Sequence, residues 1–262
     1  MPEASGPGGI LRRLRYRIHF LAACLVGGFF FVTLSLMAVF RIAILKRDRQ
    51  VVMDRWIHPW FRIMSATLGW EMPVEGEEKF ETSRPAVVVI NHQSNLDIVL
   101  WARFFPAATV VVGKKQIRKI PIFGYIFQGT RNILIDRENA EKARQSLQDA
   151  AQRIRSERLN VWMAPEGHRN LGTEMLPFKK GAFHLAIAAQ VPVLPVLVGP
   201  VWTVFDAGRW LTRPGTIRTR VLEPIPTAGL TEQDVDAFTR RVRATMDAAR
   251  RDLIAEAGPR IG

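Results

Sequence analysis

The sequence contains a single cysteine, Cys24, among 262 residues. No intrachain disulfide can form, and because Cys24 lies inside a long apolar run, no cysteine is available as a nucleophile in water. A Gly-x-Ser-x-Gly turn, which exposes the nucleophilic serine of many hydrolases, is also missing. So is a glycine-rich loop for a nucleotide cofactor. The sequence therefore excludes thiol catalysis, and we expect no bound cofactor.

Acidic side chains are scarce. The sequence has 24 Asp and Glu but 37 Lys and Arg, which gives a net charge of +13. Such an excess raises nucleic acid as a partner, because clustered cations neutralise phosphates. The first 50 residues, however, hold eight Lys and Arg against two acidic residues, and the cations bracket an apolar run. Cations in that position bind anionic lipid headgroups, at about 1 kcal/mol each. We therefore expect a lipid bilayer, and not nucleic acid, as the partner.

Residues 20–40 contain no charged side chain and are long enough to cross or deeply enter a bilayer. A cleaved signal peptide matches less well, because its apolar stretch is only about 7–15 residues long. Basic residues flank both ends, so spanning and re-entrant arrangements both stay open. We predict a disordered tail over residues 1–11, a membrane-anchoring helical segment over 12–75 and an α/β domain over 76–262.

A second helix is predicted over residues 52–70. Projected at about 100° per residue, its apolar and polar side chains separate onto two faces. An amphipathic helix packed on a core has the same pattern, but three tryptophans favour a helix that lies in the lipid interface. The apolar face consists of Trp56, Ile57, Trp60, Ile63, Met64, Leu68 and Trp70.

From residue 86 onward, short β-branched runs alternate with longer helical patterns. This alternation predicts an α/β domain whose mixed, partly parallel sheet is flanked by helices. Helices are expected at 140–158, at 181–190 and from about Thr231, where TEQD has a helix-entry signature. The predicted strands are 86–90, 109–112, 132–135, 160–163, 193–198 and 217–222.

The densest chemical signal is NHQSNLD at residues 91–97, directly after the apolar run AVVVI. Open α/β sheets place their sites at such strand ends. His92 and Asp97 meet only if the chain turns between them, and the intervening Asn and Ser residues supply turn and cap chemistry. Asp97 would then orient one ring nitrogen of His92 and leave the other as a general base, as an alcohol attacking a thioester requires.

Three further segments deliver basic side chains next to predicted strands. Arginine can grip two phosphate oxygens at once, so the cations nearest to strand ends are candidates for a phosphate site. These candidates are Lys114 in GKKQIRKIPIFG, Arg137 in ILIDR and Arg169 in APEGHRN. A solvated basic surface is the simpler interpretation of Lys115, Arg118 and Lys119.

Taken in order, these segments are similar to the motifs of the glycerophospholipid acyltransferase superfamily. The resemblance covers about residues 50–225 and rests on NHQSNLD, GKKQIRKIPIFG, NILIDREN, MAPEGHRN with LPFKKGAF, and VPVLPV. The chain looks like the bacterial 1-acylglycerol-3-phosphate acyltransferases. That likeness implies transfer of a fatty acyl group from acyl-CoA or acyl carrier protein to the sn-2 hydroxyl of lysophosphatidic acid, giving phosphatidic acid for phospholipid biosynthesis.

The resemblance also implies roles for individual residues and a place in the cell. His92 is expected to be the catalytic base and Asp97 its partner, with no metal. The enzyme is expected in the inner membrane with its active site facing the cytoplasm. The residues implied for acceptor binding are Lys114, Arg137, Glu166, Gly167 and Arg169.

One position departs from the family pattern, because His168 stands where the family usually has threonine. The acceptor headgroup is therefore open, since related enzymes acylate other lyso-lipids, including amino-acid lipids. His168 could also join His92, Asp97 and Glu166 in a metal cluster for hydrolysis, and Ser94 could act as a covalent nucleophile. A lipid hydrolase and a non-catalytic membrane adaptor are the rivals from other functional classes.

Overall fold

The computed structural model shows two long N-terminal helices followed by an α/β domain. It describes residues 7–43, 49–94, 96–102, 104–105, 108–121, 123–129, 132–135, 140–170, 172–206 and 208–261. The helices are α1 (Pro7–Ala43), α2 (Arg49–Leu68), α3 (Lys79–Thr82), α4 (Asp97–Ala102), α5 (Phe123–Gly129), α6 (Ala140–Ser156), α7 (Gly181–Ala189) and α8 (Val235–Ala255). Short 3-10 helices cover Lys115–Lys119, Val201–Thr203 and Glu232–Asp234.

A mixed sheet forms the centre of the α/β domain. The strands are β1 (Trp70–Glu71), β2 (Val74–Glu75), β3 (Ala86–Ile90), β4 (Thr109–Lys114), β5 (Ile133–Ile135), β6 (Asn160–Met163), β7 (Val193–Val198), β8 (Phe205–Asp206), β9 (Leu211–Thr212), β10 (Gly215–Thr216) and β11 (Thr219–Val221). Within the described residues, seven of them form one sheet in the order β2-β11-β7-β3-β6-β4-β5. The strands from β7 to β5 are parallel, and β11 is antiparallel to β7. Because parallel strands end at one edge, the segments after β3, β4 and β6 begin there.

The predicted fold class is confirmed, and most predicted boundaries agree with the structure. β3, β6 and β7 begin and end at the predicted residues, and Thr231 forms the expected capping box with Asp234 before α8. The strand predicted over 217–222 is wrong in extent. Only β11 (Thr219–Val221) lies there, pairing with β7 and β2, while β10 pairs with β1 just before it.

Two apolar cores lie on opposite faces of the sheet, because successive residues of a strand point to opposite sides. Val87 and Val89 of β3 belong to the core formed with α6, α7 and α8. Their neighbours Val88 and Ile90 belong to the core formed with the N-terminal helices and α4. All of β3 is fully buried, so the loop that follows it starts from a rigid base.

Helices α1 and α2 form an antiparallel hairpin against the second core. Nε2 of His19 lies 2.6 Å from the carbonyl oxygen of Thr67, and the Trp60 indole N–H donates to the Gly27 carbonyl at 3.1 Å. Helix α1 begins at Pro7, so the prediction of a disordered tail is wrong for residues 7–11. Proline favours this start because its fixed φ suits the first helical position.

The C-terminal part of the apolar face of α2 packs against protein, while the side chains of Trp56 and Ile57 lie outside the described part of the chain. Met64 and Leu68 are buried, as is Trp70 just after the helix, and all three belong to the second core. Met64 also occupies the space that a side chain at Gly27 of α1 would need. The alternative interpretation, an amphipathic helix packed on a core, is correct for these residues.

Helix α1 exposes much of its apolar surface. Leu25 is 76% exposed and Phe29 is 66% exposed. Over Gly9–Met37 the helix is long and apolar enough to cross a membrane. An apolar surface of this size marks an interaction site, with lipid or with protein.

Candidate active site

The loop after β3 is tied to strand β7 by two buried amide side chains. The Asn91 amide donates to the Val198 carbonyl at 2.9 Å, and the Val198 N–H donates to Asn91 Oδ1 at 2.8 Å. Gln93 donates to the carbonyls of Val198 and Gly199 at 2.9 and 3.0 Å. These bonds fix His92, the residue between the two amides, at the edge of the sheet.

The structure brings His92 and Asp97 together. Nδ1 of His92 lies 2.6 Å from Oδ2 of Asp97, the first residue of α4. The chain turns between them, because the Asp97 N–H donates to the Ser94 carbonyl at 3.2 Å and the Leu96 N–H donates to the Ser94 hydroxyl at 3.1 Å. Turn and cap chemistry thus folds the carboxylate back onto the imidazole.

The two ring nitrogens of His92 have different surroundings. Nδ1 faces Oδ2 of Asp97, which also accepts the Gln93 N–H at 2.6 Å. An ionised carboxylate only accepts hydrogen bonds, so the tautomer that bonds to it has its hydrogen on Nδ1 and its lone pair on Nε2. The Asp97 side chain is 3% exposed and that of His92 28%, which is the arrangement of a general base held by a buried partner.

Trp101 of α4 forms an apolar wall beside the imidazole. Its ring centroid lies 5.3 Å from that of His92, with the planes tilted by 46°. Its other neighbour is Trp162 of the second core, at 6.4 Å. The wall keeps water from one side of the His92 ring, which strengthens electrostatic interactions there.

Glu166 joins the His92 loop to the loop after β6. Oε1 accepts the His92 backbone N–H at 3.1 Å, and Oε2 accepts the Asn170 side-chain amide at 3.0 Å and the Leu176 N–H at 2.9 Å. The Asn170 backbone N–H donates to the His92 carbonyl at 2.7 Å. Because Glu166 is 2% exposed and its oxygens face protein donors, its expected role in substrate binding does not match this geometry. It positions His92 instead.

Gly167 and Arg169 follow in the same loop. Gly167 has a φ of +71°, which glycine adopts without strain. A Cβ there would lie 2.7 Å from Cε and Nζ of Lys179. Arg169 is exposed and precedes Asn170, whose backbone bonds to His92. Lys179 therefore lies beside the loop at Gly167, and Arg169 is exposed on the same loop.

The other predicted site residues are less completely placed. Lys114 ends β4 and pairs in register with Ile135 of β5, so its backbone lies at the same sheet edge, while its side chain is outside the described part. Arg137 lies outside the described residues. His168 is exposed, and in the described part of the chain no group of His, Cys, Asp and Glu could hold a metal ion. The rival metal cluster is therefore not formed there.

Sequence reasoning missed four residues that shape this site: Gln93, Trp101, Asn170 and Lys179. Gln93 and Asn170 lie inside quoted motifs, and a polar residue close behind a buried strand was the available signal. Their partners lie 105 and 78 positions away along the chain, which local spacing does not reveal. Lys179 also lies inside a motif, LPFKKGAF, but its proximity to Gly167 depends on the path of the loop between them, which spacing does not reveal.

Comparisons with known proteins identify the family of this chain. A family model described as Acyltransferase matches residues 71–199, which contain both loops. A putative 1-acyl-sn-glycerol-3-phosphate acyltransferase of Caenorhabditis elegans is 38% identical over 193 residues, 73% of this chain and 68% of that protein. The 1-acyl-sn-glycerol-3-phosphate acyltransferase of Haemophilus influenzae is 36% identical over 184 residues, 70% of this chain and 74% of that protein. The chain belongs to the acyltransferase family.

A solved structure extends the likeness over nearly the whole acyltransferase. The crystal structure of the 1-acyl-sn-glycerophosphate acyltransferase from Thermotoga maritima matches with a TM-score of 0.69 and 25% identity. The match covers 93% of this chain and 96% of that one, so it includes most of the α1–α2 hairpin. The predicted membership of the glycerophospholipid acyltransferase superfamily is confirmed.

Proposed function

We propose that this acyltransferase moves a fatty acyl group from acyl-CoA or acyl carrier protein to the sn-2 hydroxyl of lysophosphatidic acid, giving phosphatidic acid for phospholipid biosynthesis. The observation that carries the proposal is the 2.6 Å contact between His92 Nδ1 and Asp97 Oδ2 at the end of a buried strand. Relatives named for 1-acyl-sn-glycerol-3-phosphate support the choice of acceptor.

His92 acts as the general base in this mechanism. Nε2 removes the proton of the acceptor hydroxyl while its oxygen bonds to the thioester carbonyl carbon, and the carbonyl oxygen becomes an oxyanion. Collapse of this intermediate breaks the carbon–sulfur bond, and the proton on His92 passes to the leaving thiolate. Asp97 accepts from Nδ1 throughout and stabilises the imidazolium. Ser94 is buried and its hydroxyl accepts the Leu96 N–H, which argues against a serine-linked acyl intermediate.

The acceptor phosphate is held by cations at the same sheet edge. Arg169 is the best supported of these cations, because it is exposed in the loop after β6. That loop bonds to both the backbone N–H and the carbonyl of His92. Lys114 and Arg137 are proposed alongside it from the resemblance, and Lys114 also from its place at the end of β4. Gly167 shapes the backbone on which Arg169 is presented.

The enzyme works at a membrane, where its lipid substrate resides. Helix α1 supplies the anchor, since large apolar side chains such as Leu25 and Phe29 are exposed along it. Burying about twenty apolar residues outweighs screened headgroup contacts. We place the protein in the inner membrane with the active-site edge toward the cytoplasm, where acyl-CoA and acyl carrier protein are found.

Thiol release from acyl-CoA, measured with and without lysophosphatidic acid, tests the proposal. Release that depends on the acceptor and is matched by phosphatidic acid is the expected result. Acceptor-independent release with free fatty acid would indicate a hydrolase, and no release with any acceptor would indicate a membrane adaptor. Preference for a lyso-amino-acid lipid would retain the chemistry and change the acceptor.

A further inference from the structure

The C-terminal helix α8 holds the segment that follows the Glu166 loop. Arg250 donates from Nε to the Thr173 carbonyl at 2.8 Å and from Nη2 to the Gly172 carbonyl at 2.7 Å. Two turns earlier on the same helix, Arg243 donates from Nη2 to the Met175 carbonyl at 2.9 Å. Residues 172–175 form no helix or strand. The two arginines therefore bond to backbone carbonyls that have no partner from regular secondary structure.

Arg250 is a buried cation, only 4% exposed, which is rare for arginine unless it is paired. Burial lowers the pKa of its guanidinium, while the charges of Glu166 and Asp247 act in the opposite direction. Glu166 is itself buried. When two buried charges compensate each other, removing one leaves the other uncompensated in the interior.

Only a short path separates Arg250 from the catalytic pair. The carbonyl of Gly172 accepts from Arg250, and the N–H of Gly172 donates to Asn170 Oδ1 at 2.9 Å. Asn170 then donates its backbone N–H to the His92 carbonyl at 2.7 Å. The charge of Glu166 also acts to raise the pKa of Arg250 against the effect of burial, and Oε1 of Glu166 accepts the His92 N–H at 3.1 Å.

We propose that Arg250 is a positioning residue of this acyltransferase, which holds the loop of Glu166, Arg169 and Asn170 against His92 from the C-terminal helix. Arg250 acts through that loop and is not assigned any contact with substrate. The inference rests on the proposed function only in that acyl transfer is the activity measured. In this proposal, a side chain of α8, outside the family motifs, sets the geometry of His92 and Arg169.

The test compares Arg250→Gln and Arg250→Lys with Arg251→Gln, a matched control at the exposed neighbouring position. Misplacing catalytic groups by about 1 Å costs about 100-fold, so we expect Arg250→Gln to lower kcat/KM for lysophosphatidic acid about 10–100-fold. The KM for acyl-CoA should change little. Lysine keeps the charge but cannot donate to two carbonyls with the fixed geometry of a guanidinium. Arg250→Lys should therefore have a kcat/KM between those of Arg250→Gln and the wild type. Arg251→Gln should match the wild type.

A double-mutant cycle with Glu166→Gln separates positioning from general stability. If Arg250 acts through Glu166, the loss caused by Arg250→Gln becomes smaller in the Glu166→Gln background. Independent, multiplying losses would overturn the proposal, as would a lowered thermal midpoint with unchanged kcat/KM. If Arg250→Gln does not fold, wild-type kcat/KM in Arg250→Lys would overturn it. A wild-type protein without acceptor-dependent thiol release would instead refute the proposed function.

Discussion

Asn91 and Val198 exchange two hydrogen bonds, from the Asn91 amide to the Val198 carbonyl at 2.9 Å and from the Val198 N–H to Asn91 Oδ1 at 2.8 Å. The amide side chain thus bonds like a strand residue and continues the pairing of β3 with β7 beyond Ile90. His92 follows directly, so the position of its backbone is set by a strand interaction and not by a flexible turn.

Replacing this amide by a carboxylate should cost both stability and activity. In Asn91→Asp the donor to the Val198 carbonyl is lost and a charge is buried, at a cost of about 1.5–3 kcal/mol. Asn160 is the matched control, because it is also fully buried, accepts the Ala86 N–H at 3.1 Å and donates to the Phe80 carbonyl at 3.0 Å. It lies at the start of β6, on the opposite edge of the sheet.

Thermal unfolding in detergent and kcat of the folded protein distinguish the two variants. Asn160→Asp should lower the midpoint with kcat unchanged, whereas Asn91→Asp should lower both. Equal kcat values in the two variants would show that Asn91 contributes only to folding.

Local pattern was enough to predict the strands that position the site. β3 and β7 are unbroken apolar runs, as expected for parallel strands buried on both faces, and their ends were predicted to the residue. The pattern failed at both ends of 217–222, where the apolar alternation extends beyond the strand, since β11 covers only Thr219–Val221. It also could not tell lipid from protein as the neighbour of α2, since both offer the same apolar environment.

Contacts between distant segments could not be predicted. The contact between His92 and Asp97 could be predicted, because only five positions separate them and turn residues lie between. Arg250 and Thr173 are 77 positions apart, and a side chain that caps a loop carbonyl leaves no periodic signature. The same limit hid the engagement of Glu166 with the His92 backbone.

Gly167→Ala should impair catalysis beyond its cost in stability. The φ of +71° at Gly167 is strained for alanine by about 1–2 kcal/mol, and the new Cβ would displace Lys179. Gly229 is the control, because it has a similar φ of +79° with no atom within 4 Å of a built Cβ. Both alanine variants should unfold at lower temperature, but only Gly167→Ala should lose kcat/KM. Equal activity in both would remove Gly167 from the site.

Arg169→Lys should raise the KM for lysophosphatidic acid although the charge is kept. Lysine cannot reproduce the bidentate grip of a guanidinium on phosphate oxygens. Arg241→Lys, at an exposed position of α8, is the control for the substitution itself. Steady-state kinetics with varied acceptor measure the effect, and unchanged kinetics in Arg169→Lys would assign the residue to a structural contact.

The α1 anchor should resist salt. Membrane fractions washed with 1 M salt, a concentration at which the Debye length falls to about 3 Å, should retain the protein, and detergent should release it. Replacing Leu25 and Phe29 together by Glu should weaken retention, since each charge at a helix centre costs about 2.5–3.5 kcal/mol in lipid. Release of the wild type by salt alone would show a peripheral attachment.

The catalytic pair should fail as a unit. His92→Ala removes the general base and should lower kcat by about 10²–10⁴-fold. The asparagine of Asp97→Asn can still accept the Gln93 N–H but no longer stabilises the imidazolium. This variant should therefore also have a much lower kcat. Asp149→Asn, at an exposed position of α6, controls for the change of charge. The double variant decides, because its kcat should equal that of His92→Ala when Asp97 has no ring left to orient. If the two losses multiply in full, Asp97 acts independently as the first residue of α4, and the dyad must be abandoned.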